Sequence, residues 1–391
     1  MTEIPGAVVI GGYINGLGMV RSLAARGLPV AVVTTEPYDI AQHSRRVSAH
    51  AEAHGVAEAP EKLTEVLMDH AGAWSGRILL PTTDTALAAV SAGFDRLASH
   101  YRILVPPPEA VAVLLDKRRM AAAAEAVGLS TPRCHGPATR DNPQLAALSF
   151  PVIVKPLSGH GFSALFGCKV FEVADAAQLL AAVARVEAAG VPCLVFDLIP
   201  GRDDQIFAYC LYVDRAGRPG PGLTIRKLRQ SPPAFGVARM AEVTADRPGL
   251  ADQTIALLQR IGFTGMAAAE FKLDPRDGSF RFIEVNGRSV IYNGLLRRAG
   301  LDLAAAAVAD LEGSLPPAAP AGWDGVWVNL LADLGYSLID RRADPIGMGE
   351  FVAPYLRPMI EASWSWRDPA PFLAQWGRTL TAAVLPATRR P

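Results

Sequence analysis

Cysteine is scarce and scattered in this chain: Cys134, Cys168, Cys193 and Cys210 are the only four, and they form no C-x-x-C pair. That spacing argues against a disulfide scaffold or a zinc-finger frame, and they read as buried thiols of a reducing compartment. All seven histidines lie before residue 161 and none is spaced as a zinc pair. No Ser/His/Asp or Cys/His nucleophile is implied. Net charge is missing too, because 38 basic and 38 acidic residues cancel. No global field then draws nucleic acid or an anionic membrane, and a charged ligand must be held by local groups. No apolar run reaches the roughly 18 residues that a membrane-spanning helix needs. The N-terminal order MTEIPGAVVIGG is the reverse of a signal peptide's charge order. The expectation is a cytoplasmic protein with neither a membrane nor a nucleic-acid partner.

What is present is apolar surface for more than one core: half of the 391 residues are hydrophobic and 19% are charged. The first hundred residues alternate strands (GAVVIGG, PVAVVTT, RILLPTTD, YRILVPPP) with helices, which implies a parallel sheet covered on both faces. Gly11, Gly12, Gly16 and Gly18 open the first helix as a loose dinucleotide fingerprint. A tight strand-to-helix turn explains them equally, and no acidic residue stands cleanly at the end of the second strand, where Thr34, Thr35 and Glu36 lie. Pro106, Pro107 and Pro108 break the chain. A helical stretch from Glu109 to Val127 follows, then a strand-rich section from Pro151 to Arg288, then a helix from Leu301 to Leu311. A proline-rich stretch from Leu315 to Pro320 leads into a tail with five of the six tryptophans. With no basic stripe between those rings, the tail reads as a packed accessory segment, not a platform for bases. Domains are expected at 1–107, 108–315 and 316–391.

The chemistry concentrates in MAAAEFKLD and FRFIEVNGR, two strands joined by the turn Asp274-Pro275-Arg276-Asp277-Gly278-Ser279. Alternation sends Phe271, Leu273, Ile283 and Val285 to the core. Glu270, Lys272, Glu284 and Asn286 then share the other face, with Glu270 almost opposite Glu284. Like charges opposed across a ladder are unfavourable unless something positive lies between them. A few hard oxygen ligands are what magnesium uses when substrate phosphates complete its shell.

Upstream, Lys155 interrupts the apolar strand PVIVKP, where it carries a desolvation cost unless an anion meets it. The glycine-rich run Ser158, Gly159, His160, Gly161 follows at once, and its backbone N–H groups can cradle phosphate oxygens. Lys117 stands at the start of a helical stretch, where an anion also feels the helix dipole. In CLVFDLIPGRDD an extended strand ends at Asp197, Leu198 and Ile199, whose backbone can pair with a purine edge. Asp203 and Asp204 come next. In TIRKLRQ three cations occupy four positions, and guanidinium groups suit carboxylate and phosphate oxygens.

Taken in order, DK, VIVKP with its glycine loop, FDLIPG, AEFKLD and FIEVNGR resemble the ATP-grasp superfamily, in particular its carboxylate-amine ligases of the D-aspartate ligase-like type. The resemblance spans nearly the whole chain. It implies an α/β and α+β protein: an N-terminal Rossmann-like (pre-ATP-grasp) domain, then a two-lobed ATP-grasp fold with antiparallel sheets, the small lobe at about 125–200 and the large lobe at about 201–315. It further implies that Lys117 and Lys155 hold the ATP phosphates, that residues 158–163 cover them, and that Asp197, Leu198 and Ile199 receive adenine. Asp203 or Asp204 would bind ribose, and Glu270, Glu284 and Asn286 would hold Mg2+, with Mn2+ as an alternative. Arg288, Arg226 and Arg229 are implied near an acyl phosphate, Arg288 the foremost. One departure is Asp197, where the pattern has a glutamate; backbone pairing survives that change. His160 is a second.

The activity so implied is ATP-dependent and ADP-forming: a small carboxylate is phosphorylated and an amine then displaces phosphate, an amino acid being one substrate. A homodimer is compatible with the pattern. The competing readings are an acyl-phosphate enzyme using bicarbonate or a purine precursor, a non-catalytic ATP-binding module, and an oxidoreductase using the N-terminal glycines.

Overall fold

A computed structural model describes residues 4–157, 161–313, 323–339 and 346–384. Its strands fall into three sheets. The first is all parallel, in the order β3-β2-β1-β4-β5, from β1 (Ala7–Ile10), β2 (Val30–Thr34), β3 (Val47–Glu52), β4 (Ile78–Pro81) and β5 (Arg102–Ile103). Both faces of β1 are fully buried, Val8 and Ile10 in one apolar cluster and Ala7 and Val9 in another. That is why the strand reads as an unbroken hydrophobic run with no alternation. The strand β3 did not stand out in the sequence, because its alternate residues are exposed and it carries His50 and Glu52.

The glycines after β1 are explained by packing. Gly11 has φ +90°, and a side chain at Gly16 would place its Cβ 2.1 Å from the Gly11 carbonyl oxygen. A methyl group there cannot be accommodated, so the helix Ile14–Ala25 can start this close to the strand only with glycine.

The second sheet has the order β6-β9-β7-β8, from β6 (Cys134–Pro137), β7 (Val152–Pro156), β8 (Phe171–Val173) and β9 (Cys193–Asp197). Its seven-stranded neighbour has the order β14-β13-β10-β11-β12-β15-β16, from β10 (Ile206–Val213), β11 (Pro219–Ser231), β12 (Val237–Thr244), β13 (Gly265–Leu273), β14 (Phe280–Asn286), β15 (Val326–Val328) and β16 (Met359–Glu361). All its pairings are antiparallel except β15 with β16. Within the described part of the tail, two short strands thus extend this sheet. The helical stretch before β6 is broken in two, at Pro108–Leu115 and Lys117–Glu125. Asp116 caps the second piece by accepting from the N–H groups of Arg118 and Arg119, at 2.8 and 3.1 Å.

The β13–β14 hairpin departs from simple alternation at one point. Its register runs Glu270 to Glu284 and then Phe271 to Phe282, so Ile283 is bulged out. Phe282, not Ile283, joins Phe271 and Val285 in the core. The bulge leaves the two glutamates directly opposed, as expected. Asp274 anchors the turn: fully buried, it accepts from the Arg276 guanidinium at 2.6 Å and from Arg281 at 3.4 Å.

The Arg276 hydrogen bonds hold the Asp274 carboxyl well below the usual carboxylate range. A carboxyl depressed in the folded state contributes stability that is complete above its unfolded pKa, ~3.9, and is lost as pH falls from there toward the folded value. Asp274→Asn should therefore lower stability by about 2 kcal/mol at neutral pH, with the difference shrinking in acid. Urea unfolding midpoints measured against pH check this, and equal midpoints at pH 7 would contradict it.

Candidate active site

Two sheet registers decide which side chains meet. Ala208 of β10 lies opposite Glu270 on one side and Ile225 on the other, and Ile206 lies opposite Lys272 and Lys227. Opposed residues share a face, so Lys227, Glu270, Lys272, Glu284 and Asn286 belong to one surface. Against it stands β7, whose Lys155 Nζ is 3.7 Å from Glu284 Oε2. Lys227 Nζ donates to Glu270 Oε2 at 2.6 Å, both groups being nearly buried. Asn286 Nδ2 lies 3.4 Å from Glu270 Oε1. The two opposed carboxylates are therefore each met by an ammonium group, Glu284 from the four-stranded sheet and Glu270 from its own.

Further cations converge. Lys117 donates to the Leu157 carbonyl at 2.5 Å, just ahead of the glycine loop. Burial lowers its pKa, and nearby Lys155 lowers it further. Lys169 is lowered by burial and then by Lys227, against the pull of Glu284 and Glu270. Burial pushes the Glu284 carboxyl up, but Lys155, Lys227 and Arg288 together bring it below its ordinary value. Five cationic side chains, Lys117, Lys155, Lys169, Lys227 and Arg288, thus surround three carboxylates, Glu270, Glu284 and Asp84. Such an excess of partly desolvated ammonium groups is costly unless a polyanion fills the cleft.

Among the described residues no group of three His, Cys, Asp or Glu side chains could hold a metal. The oxygens of Glu270, Glu284 and Asn286 supply part of a hard-cation shell. That donor set fits magnesium completed by phosphate and water oxygens, and fits a closed structural site poorly.

Arg288 belongs to this surface. Its guanidinium forms a two-point pair with Asp84, Nε to Oδ1 at 2.8 Å and Nη2 to Oδ2 at 3.1 Å. Asp84 opens the helix Asp84–Ala92 directly after β4, so the first sheet reaches the site through this pair. Gly287 is fixed by its surroundings, because a Cβ there would come 2.5 Å from Leu114 Cδ1.

The other two arginines are elsewhere, which corrects the reading of the TIRKLRQ run. Arg226 lies opposite Phe207 and so projects from the reverse face, where its guanidinium pairs with Glu242 at 2.7 Å. Arg229 follows a bulge in β11 and is buried, with Nη1 2.6 Å from Asp333 and Nη2 bonded to the carbonyls of Glu350 and Phe351. It ties the tail to the sheet. The residue of that run that reaches the cleft is Lys227, which the sequence reading passed over. Strict alternation from Arg226 was the available signal.

The remaining expected residues divide. Ser158, Gly159 and His160 lie outside the described residues. Gly161 has φ +79° and precedes a short helix, Phe162–Phe166. Asp197 accepts from His135 Nε2 at 2.7 Å. The Leu198 N–H reaches the Pro151 carbonyl at 3.3 Å, and the Ile199 carbonyl takes Lys272 Nζ at 3.0 Å. Asp203 is consumed within the fold, accepting from the Gln230 backbone and amide and from the Ala234 N–H at 2.8 to 2.9 Å. Asp204 lines a cavity on the reverse face. Asp84, Lys169 and Lys227 are the cleft residues that sequence reasoning missed.

Comparison with known proteins bears on this geometry. Residues 241–309 match the family model of the carbamoyl-phosphate synthase L chain ATP-binding domain. The chain is 31% identical over 160 residues to a D-aspartate ligase of Enterococcus faecium (strain Aus0004), a match covering 37% of this chain and 38% of that protein. The chain thus matches less than two fifths of that relative's length. In three dimensions it resembles N5-carboxyaminoimidazole synthetase from Staphylococcus aureus complexed with ADP, with TM-score 0.67, 15% identity, and coverage of 88% of this chain and 87% of that one. It also resembles an L-amino acid ligase from Bacillus licheniformis, with TM-score 0.61, 18% identity and coverage of 81% and 78%.

Because Lys117 and Lys169 titrate below the ordinary lysine range, the cleft loses positive charge before a free lysine would, near pH ~10.4. Sulfate, whose own charge is constant there, should bind progressively more weakly as pH rises toward that value. Calorimetric titration at several pH values should show a shallower decline in Lys117→Met. An affinity for sulfate independent of pH would contradict the arrangement.

Proposed function

We propose that the chain, whose fold is that of ATP-grasp enzymes, is an ATP-dependent, ADP-forming carboxylate-amine ligase with an amino acid as one substrate. The observation that carries the proposal is the meeting of Lys155 with Glu284 across two sheets, flanked by the Lys227–Glu270 pair. The partial match to a D-aspartate ligase and the likeness to an L-amino acid ligase support the acid-amine chemistry. We assign residues 1–107, 108–315 and 316–391 to the pre-ATP-grasp, ATP-grasp and accessory parts.

In this reading Lys117 and Lys155 bind the phosphates, and the backbone around residues 197–199 receives the base. Glu270, Glu284 and Asn286 hold Mg2+, which when bound neutralises phosphate charge. Lys227 and Arg288 orient and stabilise the transferred phosphoryl group, and Asp84 fixes the plane of Arg288. A carboxylate oxygen of the acid attacks the γ-phosphorus, the bond to the β,γ-bridging oxygen breaks, and ADP leaves. The amine nitrogen then attacks the acyl carbon, loses a proton, and phosphate departs. Stabilisation of charge and alignment of reactants carry the rate, with no covalent intermediate on the protein.

ADP release screened against amino acids and small carboxylic acids, bicarbonate included, identifies the acid. Oxygen label in its carboxylate should then appear in the released phosphate. Glu284→Ala should lower turnover by at least about 100-fold with the unfolding midpoint within a few degrees of the parent, and Lys227→Met should lower turnover as far while also lowering the midpoint, because it leaves Glu270 buried and unpaired. Unlabelled phosphate, or undiminished turnover in Glu284→Ala, would overturn the proposal.

A further inference from the structure

The reverse face of the seven-stranded sheet carries a cavity of about 540 Å³, well apart in orientation from the cleft. Its floor is aromatic: Phe207 and Phe280 meet edge to face, with centroids 5.3 Å apart and planes at 87°. Its rim is cationic, with Arg202, Arg226 and Arg247. The acids nearby are already engaged. Glu350 and Asp204 both pair with Arg202, and Glu242 is shared between Arg226 and Arg357.

Arg247 is different. Its guanidinium lies over the Phe207 ring, 5.2 Å from the centroid, and among the described residues it forms no ion pair. Its Nε is buried without a hydrogen-bond partner. A guanidinium stacked on a ring keeps its N–H edge free, and that edge matches two oxygens of a carboxylate or phosphate. A volume of this size is typical of small-molecule sites, which join apolar walls to a few polar groups that fix orientation.

From this geometry we infer a second binding site, for a small organic anion whose carboxylate or phosphate pairs with Arg247 while its flat apolar body lies against Phe207 and Phe280. The inference is independent of the nucleotide reading, because no residue of the cleft lines this cavity. The two faces share strands, however. Phe207 sits between Ile206 and Ala208, the residues opposed to Lys227 and Glu270.

Benzoate and phenyl phosphate, titrated into the full chain by calorimetry, test the site with both anion types. At least one should bind with unit stoichiometry, and its affinity should fall about tenfold in Arg247→Met and remain unchanged in Lys155→Met. Arg247→Lys, which keeps the charge but loses the fork, should weaken binding by an intermediate factor and serves where Arg247→Met does not fold. Three results would overturn the inference: neither probe binding at millimolar concentration, binding unaffected by both Arg247 variants, or binding abolished in Lys155→Met, which would place the probe in the cleft.

Discussion

Glu270 and Glu284 occupy one rung of the β13–β14 ladder, and two like charges on a rung repel. The rung persists because an ammonium reaches each carboxylate from a different direction: Lys227 from two strands away in the same sheet, Lys155 from the four-stranded sheet. The second contact is the looser, at 3.7 Å, and involves groups that are part-exposed. An exposed pair of this length contributes little to stability. Its importance is positional. It marks where the two sheets face each other across the cleft, and in the proposed reading a phosphate chain supplies the counter-charge that the surplus of cations lacks.

The same sheet shows why a run of cations cannot be read from spacing alone. Arg226, Lys227 and Arg229 fall within four residues, yet each has a different fate. Arg226 goes to the reverse face with Glu242, Lys227 to the cleft with Glu270, and Arg229 to a buried cluster with Asp333. The first two outcomes follow from period two along a strand. The third does not, because β11 bulges between Lys227 and Arg229, and a bulge is set by neighbouring strands and not by the run itself. Asp333 lies in the tail and is fully buried between Arg229 and Arg239, with the Tyr355 hydroxyl donating to it at 2.6 Å. Charge patterning suggested substrate contacts where the fold needed an anchor.

Legibility tracked how local each determinant was. The parallel sheet could be read because burial on both faces leaves continuous apolar runs such as Val8 to Ile10. The opposed glutamates could be read because a short turn fixes hairpin register, although the bulge at Ile283 had no sequence signal and put Phe282 in the core instead. Lys155 stood out as a charge inside a hydrophobic strand. Asp203, by contrast, looked available for a ribose and is spent on Gln230 and Ala234, which lie about thirty residues on and are brought back only by the sheet. Asp84 and Lys169 carry no motif at all. Each enters the cleft through long-range packing: Asp84 by following β4 to its end, Lys169 from the approach to β8.

The Arg288–Asp84 pair shows what such packing adds. Arg288 alone would be a flexible cation beside two glutamates, drawn toward them and able to cancel their charge. A carboxylate gripping Nε and Nη2 holds the guanidinium in one plane and leaves its Nη1 edge, which reaches only the Ser289 carbonyl at 3.2 Å, turned away from that grip. Asp84 can do this only because the helix it opens begins at the end of β4, a strand central to the first sheet. The orientation of a cleft cation is thereby set by a rigid sheet some two hundred residues earlier in the chain. The geometry of the cleft and the packing of the N-terminal sheet are thus tied together through this one pair.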